Sequence, residues 1–123
     1  MKESGSIVIL FVEDDDGLRL TLREYFEGLG YRVLVAADGV SAIKHLLDTD
    51  VDIIVTDYRM DILGGNYWIR FLQRYCAEIP VILTSGFLGV EDNVPFELLQ
   101  KPFEYSTLAG MITRLIPEKD REH

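Results

Sequence analysis

Short apolar runs with no polar alternation constrain this chain more than any other feature. Ile7-Val8-Ile9-Leu10-Phe11-Val12 is the first, Val51-Asp52-Ile53-Ile54-Val55-Thr56 the second, and Pro80-Val81-Ile82-Leu83-Thr84 the third. A strand with one solvated face alternates apolar and polar residues; these runs, rich in β-branched residues, read as strands buried on both faces. Both faces of a sheet are covered when helices cross between parallel strands, and the intervening sequence has that pattern. Leu18, Leu22, Tyr25, Phe26 and Leu29 recur at helical spacing between Gly17 and Leu29. Asp15 or Asp16 can cap the start of that helix, and Gly28 and Gly30 end it.

The remaining elements follow the same rhythm. Arg32–Ala36 reads as a second strand, and Val40–Leu47 as a helix with Ile43, Leu46 and Leu47 facing inward. A loop containing Gly64-Gly65 leads to a helix from about Asn66 to Tyr75, with Trp68, Leu72 and Tyr75 on one side. Glu97–Gln100 is a fifth strand, and Glu104–Ile116 a last helix stopped by Pro117. Between Thr84 and the fifth strand, Gly86, Gly89 and Pro95 leave room for about one helical turn, so the helix expected there is short or missing. The predicted fold is a doubly wound α/β domain with a five-stranded parallel sheet ordered 2-1-3-4-5, of the flavodoxin-like kind.

The composition narrows the function classes. The 123 residues suit one domain, and no apolar run is long enough to span a bilayer or to serve as a signal peptide. A cytoplasmic location is the default, and the single Cys76 has no partner for a disulfide or a zinc site. A net charge of −9 argues against direct binding to nucleic acid and for cations or basic partner surfaces.

In such a sheet ligands bind outside the carboxyl ends of the strands, where the winding reverses between strands 1 and 3. Glu13-Asp14 follow strand 1, Asp57 follows strand 3, and Thr84 and Lys101 end strands 4 and 5. Three neighbouring carboxylates repel one another without a counter-charge, and a hard cation such as Mg²⁺ takes oxygen ligands of this kind. A cation there would leave Asp57 free as a nucleophile toward a phosphoryl group, with Lys101 and the Thr84 hydroxyl placed to hold its oxygens.

The acidic pair in Val12-Glu13-Asp14, Arg19, Asp57 followed by Met60 and Gly65, Thr84-Ser85 and Lys101-Pro102-Phe103 resemble the receiver domain of two-component response regulators. The resemblance runs from Ile7 to Ile116. It implies that Asp57 accepts a phosphoryl group from a sensor histidine kinase or a histidine phosphotransfer protein and that a downstream protein target reads the change. It also implies that Glu13, Asp14, Asp57 and the Arg59 backbone carbonyl bind Mg²⁺, that Thr84 and Lys101 read out the phosphoryl group, and that the Lys101–Pro102 bond is cis. The expected organisation is one receiver domain over residues 1–123, with its core at about 7–116 and no output domain.

Three positions depart from the family pattern. Asp61 stands where a proline follows the methionine, Leu98 stands where an aromatic residue swings inward, and the segment Gly86–Phe96 is reduced. Phe96 can substitute for the missing aromatic, and the shortened segment resembles receivers attached to hybrid sensor kinases or certain stand-alone ones. The bland alternatives are a helix cap for the acidic run, a surface role for Lys101 and a strand-end hydroxyl for Thr84. Arg59 either reaches the phosphoryl group or is solvated, His45 and His123 are expected to be exposed, Tyr67 and Trp68 to belong to the core, and Cys76 to be inert.

Rival functions are a receiver-like docking module that no longer needs phosphate, and an aspartyl-phosphate phosphatase of the haloacid-dehalogenase type. The phosphatase would want an acid two positions after Asp57, where Arg59 stands. A nucleotide-binding Rossmann domain is weaker still, because its first turn would be acidic instead of glycine-rich.

Overall fold

The computed structural model describes residues 6–58, 65–86 and 96–116. Five strands, β1 (Val8–Val12), β2 (Arg32–Ala36), β3 (Ile53–Asp57), β4 (Val81–Ser85) and β5 (Glu97–Gln100), form one sheet ordered β2-β1-β3-β4-β5. All four pairings are parallel. Among the described residues four helices accompany the sheet: α1 (Asp16–Gly28), α2 (Gly39–Asp48), α3 (Gly65–Tyr75) and α4 (Tyr105–Leu115). The expected order and the doubly wound architecture are both present. The short or missing helix between β4 and β5 concerns residues 87–95, which lie outside the described residues.

The apolar runs form strands because both faces are covered. β1, β3 and β4 are buried along their whole length. On one face Ile9, Phe11, Ile53, Val55 and Ile82 pack against Leu22 and Phe26 of α1 and Leu108 and Ile112 of α4. On the other, Leu10, Val12, Ile54 and Leu83 pack against Ala42 of α2 and Trp68, Ile69 and Leu72 of α3. Alternate residues of one strand point to opposite faces, so a single strand feeds both clusters. The first and last helices are joined on their shared face by a hydrogen bond between the Thr21 and Tyr105 hydroxyls at 2.6 Å, with Tyr25 edge-on to Tyr105.

Two helix starts carry aspartate caps, the first of them among the two residues that the sequence offered for α1. Asp15 Oδ1 accepts from the Leu18 amide at 2.9 Å, and Asp38 Oδ1 accepts from the Ser41 amide at 2.8 Å. Leu29 is the C-cap of α1, and Gly30 follows at φ 101°, a conformation that favours glycine. Among the described residues no helix is long and apolar enough to cross a membrane.

Several inward-facing expectations need correction. Leu47 is 80% exposed, because α2 turns Ala42 to the sheet with Ile43 and Leu46 half-buried beside it. Tyr75 is also exposed: Ile69 joins Trp68 and Leu72 on the buried side of α3, while Tyr75, at its last position, packs beside Phe71 and Arg74. Tyr67 is 71% exposed, one residue before the fully buried Trp68 and hence about 100° around the helix. His45 is not free in solvent; its Nε2 donates to the Val35 carbonyl at 2.9 Å, tying α2 to β2. His123 lies outside the described residues.

Candidate functional site

Parallel strands in register bring their carboxyl ends to one edge. Val12 pairs with Thr56, and Asp57 pairs with Thr84 on the adjacent strand. Glu13, immediately after β1, is fixed by its amide donating to the Ala36 carbonyl at 2.9 Å. The Tyr58 amide donates to the Thr84 carbonyl at 2.9 Å, and the Lys101 amide to the Ser85 carbonyl at 2.8 Å. Backbone bonds thus hold Glu13, Asp57, Thr84 and Lys101 before any side chain is considered.

Glu13, Asp57 and Thr84 are buried, and Asp14 is exposed. One carboxylate oxygen from each of Glu13, Asp14 and Asp57 lies within 4.8 Å of the other two. Lys101 Nζ donates to Glu13 Oε1 at 2.8 Å and to Asp57 Oδ2 at 3.2 Å. Glu13 Oε2 also accepts from the Asp15 amide at 3.1 Å. Arg19 lies at the rim, donating to the Glu13 carbonyl at 2.8 Å and to the Asp16 carboxylate. The Lys101–Pro102 peptide is cis.

The electrostatics fit a cation. Burial raises the Glu13 carboxyl above its ordinary range, and this outweighs the lowering by Lys101 and the Asp15 amide; the Asp57 charge adds to the rise. For Lys101 burial lowers the ammonium, but its hydrogen bond to Glu13 and the charges of Glu13 and Asp57 carry it above its ordinary value. A buried carboxylate that one lysine does not fully compensate is suited to a further positive charge. Three clustered carboxylate oxygens, one of them reachable from solvent on Asp14, suit a hard divalent ion that keeps part of its water shell.

The structure therefore brings together Glu13, Asp14, Asp57, Thr84 and Lys101 from four strand ends. Arg59, with Met60, Asp61 and Gly64, lies outside the described residues. Leu98 is exposed on β5, and Phe96 packs partly buried against the α2–α3 cluster. Cys76 is half-buried, with its thiol raised by burial, in keeping with an unreactive side chain.

One part of the site was not anticipated. Trp68 Nε1 donates to Thr56 Oγ1 at 2.8 Å, directly behind Asp57. The available signal was a threonine ending an otherwise apolar strand, with a tryptophan on the following helix; nothing in their spacing announced that they meet.

Residues 9–113 match the response regulator receiver domain family, so the chain belongs to that family. It is 34% identical to "Sensor kinase CckA" of Brucella abortus over 95% of its own length and 13% of that protein's. It is 29% identical to "Transcriptional regulatory protein YxdJ" of Bacillus subtilis over 85% of its own length and 48% of that protein's. The receiver domain of Francisella response regulator 1452 superposes with a TM-score of 0.80 at 26% identity, covering 89% of this chain and 96% of that one. The chain thus spans less than half the length of both curated relatives.

Proposed function

We propose that the chain is a phosphoacceptor switch in which Asp57 takes a phosphoryl group from a phosphohistidine on a sensor histidine kinase or a histidine phosphotransfer protein. The observation that carries this reading is the position of Asp57 at the end of β3, clustered with Glu13 and Asp14 and 3.2 Å from Lys101 Nζ. An Asp57 oxygen attacks phosphorus, the phosphorus–nitrogen bond breaks, and the imidazole departs. Glu13, Asp14 and Asp57 would hold Mg²⁺, with the Arg59 carbonyl as the further ligand that the family resemblance implies. When bound, that ion supplies charge neutralisation between the carboxylates and the incoming phosphoryl oxygens.

The chain's own groups do the rest. Lys101 is held by Glu13 beside Asp57, so its ammonium is ready to pair with a phosphoryl oxygen without reorganising. The Thr84 hydroxyl lies 3.4 Å from the Thr56 carbonyl, a long hydrogen bond that is easily exchanged for one to a phosphoryl oxygen. The product changes what a downstream protein target binds; the chain acts as a cytoplasmic signalling domain and does not turn over a substrate of its own. Residues 1–123 form a single receiver domain, with its core at about 7–116.

Incubation with acetyl phosphate and Mg²⁺, followed by intact-mass measurement, tests the reading. A single added phosphoryl group on the wild type and none on Asp57→Asn is the expected result. Equal uptake by both proteins, or none by either, overturns it.

A further inference from the structure

β3 alternates between the two clusters. Ile54 belongs to the α2–α3 face and Val55 to the α1–α4 face, so Thr56 follows Ile54 and Asp57 follows Val55. Thr56 is fully buried, and so is Trp68 opposite it on α3. The Trp68 Nε1–H donates to Thr56 Oγ1 at 2.8 Å, and the Thr56 hydroxyl donates to the Asp57 carbonyl oxygen at 3.1 Å. The Thr56 carbonyl in turn accepts from the Thr84 hydroxyl at 3.4 Å. At Thr56, therefore, α3, the backbone of Asp57 and the Thr84 hydroxyl meet.

Packing alone does not call for this arrangement. Valine at 56 and an apolar side chain at 68 would occupy these core positions without burying polar atoms, and replacing both partners of a buried hydrogen bond by apolar groups of the same shape is often nearly neutral. A directional bond does what an apolar contact cannot: it fixes how α3 is rotated against the residue preceding Asp57. We propose that Trp68 and Thr56 are positioning residues, which hold the Asp57 backbone in register with Lys101 and Thr84 and tie α3 to the state of the site. The proposal rests on the reading of Asp57 as phosphoacceptor.

The test compares Thr56→Val, Thr56→Ser, Trp68→Phe and the Thr56→Val/Trp68→Phe double variant with wild type. Initial rates of phosphorylation by acetyl phosphate at saturating Mg²⁺ are measured beside each variant's thermal midpoint. A small displacement of a nucleophile is costly, so Thr56→Val and Trp68→Phe each slow the reaction by about three- to tenfold. Thr56→Ser keeps the hydroxyl and stays near the wild-type rate, and the double variant is no slower than the slower single one. A Thr56→Val protein that loses thermal stability but keeps the wild-type rate overturns the proposal. Equal slowing by Thr56→Ser, or single effects that multiply in the double variant, overturns it too. If the wild type takes up no phosphoryl group, the reading of Asp57 falls by itself and the Trp68 indole N–H resonance decides. A shift on adding Mg²⁺ that Thr56→Val abolishes supports the tie, and a resonance indifferent to Mg²⁺ overturns it.

Discussion

Lys101 lies closer to Glu13 than to Asp57: its Nζ is 2.8 Å from Glu13 Oε1 and 3.2 Å from Asp57 Oδ2. The lysine that the sequence suggests for phosphoryl readout is, in this state, the counter-ion of a buried carboxylate. Both duties fall to one side chain, and substitutions should separate them.

Lys101→Ala leaves Glu13 buried without its charged partner. The Lys101 side chain is 23% exposed and water can enter, so the expected loss of stability is about 1–2 kcal/mol, below that of a fully buried pair. Urea unfolding measures this. Removing the ammonium also removes a competitor for the carboxylates, so Mg²⁺ should bind more tightly to the variant while phosphoryl uptake slows. Weaker Mg²⁺ binding together with unaltered uptake would contradict this division of labour.

The pH dependence follows from Glu13. Its folded carboxyl is raised by burial, so the native state binds more protons than the unfolded chain between the two pKa values. Stability therefore falls as pH rises from about the ordinary glutamate value through the folded one. With a chelator present, Glu13→Gln should abolish that part of the fall, seen as a variant-minus-wild-type difference in thermal midpoint that grows with pH. Lys101 has the opposite charge and is raised as well, so its contribution is full below the ordinary lysine value and is lost only as pH passes its folded pKa.

Mg²⁺ should stabilise the fold by mass action, because the carboxylate cluster exists only in the native state. At a hundredfold excess over its dissociation constant the gain is about 2.7 kcal/mol. Thermal shift with and without the ion reads it directly. Asp14→Asn should reduce the shift with little effect on stability in chelator, since Asp14 is exposed.

The Asp38 cap offers a control outside the acidic cluster. Asp38→Ala removes the acceptor for the Ser41 amide at the start of α2 and should cost about 1 kcal/mol in urea unfolding. Phosphoryl uptake by this variant should match wild type.

Most of the fold was legible because burial on both faces leaves an unbroken apolar run, and the start of α1 advertises itself with Asp15. The site was legible for a related reason: Glu13, Asp57, Thr84 and Lys101 sit where strands end, and topology alone brings those ends together. Side-chain facing was harder to read. Leu47 and Tyr75 look like core by composition, but a helix resting on a sheet buries only a narrow stripe, and Ala42, Trp68, Ile69 and Leu72 fill it. Trp68 was correctly placed in the core, yet its hydrogen bond to Thr56 depends on rotamer and helix rotation, which periodicity does not encode.

The hydroxyl contact between Thr21 and Tyr105 joins residues 84 positions apart. Closing that contact means that the apolar face of α1 waits for the last helix. While the chain is being made, Leu22 and Phe26 lack the cover that Leu108 and Ile112 later provide. Vectorial synthesis from the N-terminus thus builds the α2–α3 side first and leaves the opposite side unsealed until about residue 112 has emerged. A nascent chain that ends between Gln100 and about residue 112 should expose a sticky aromatic strip and invite chaperone capture, although every strand of the sheet has already been synthesised.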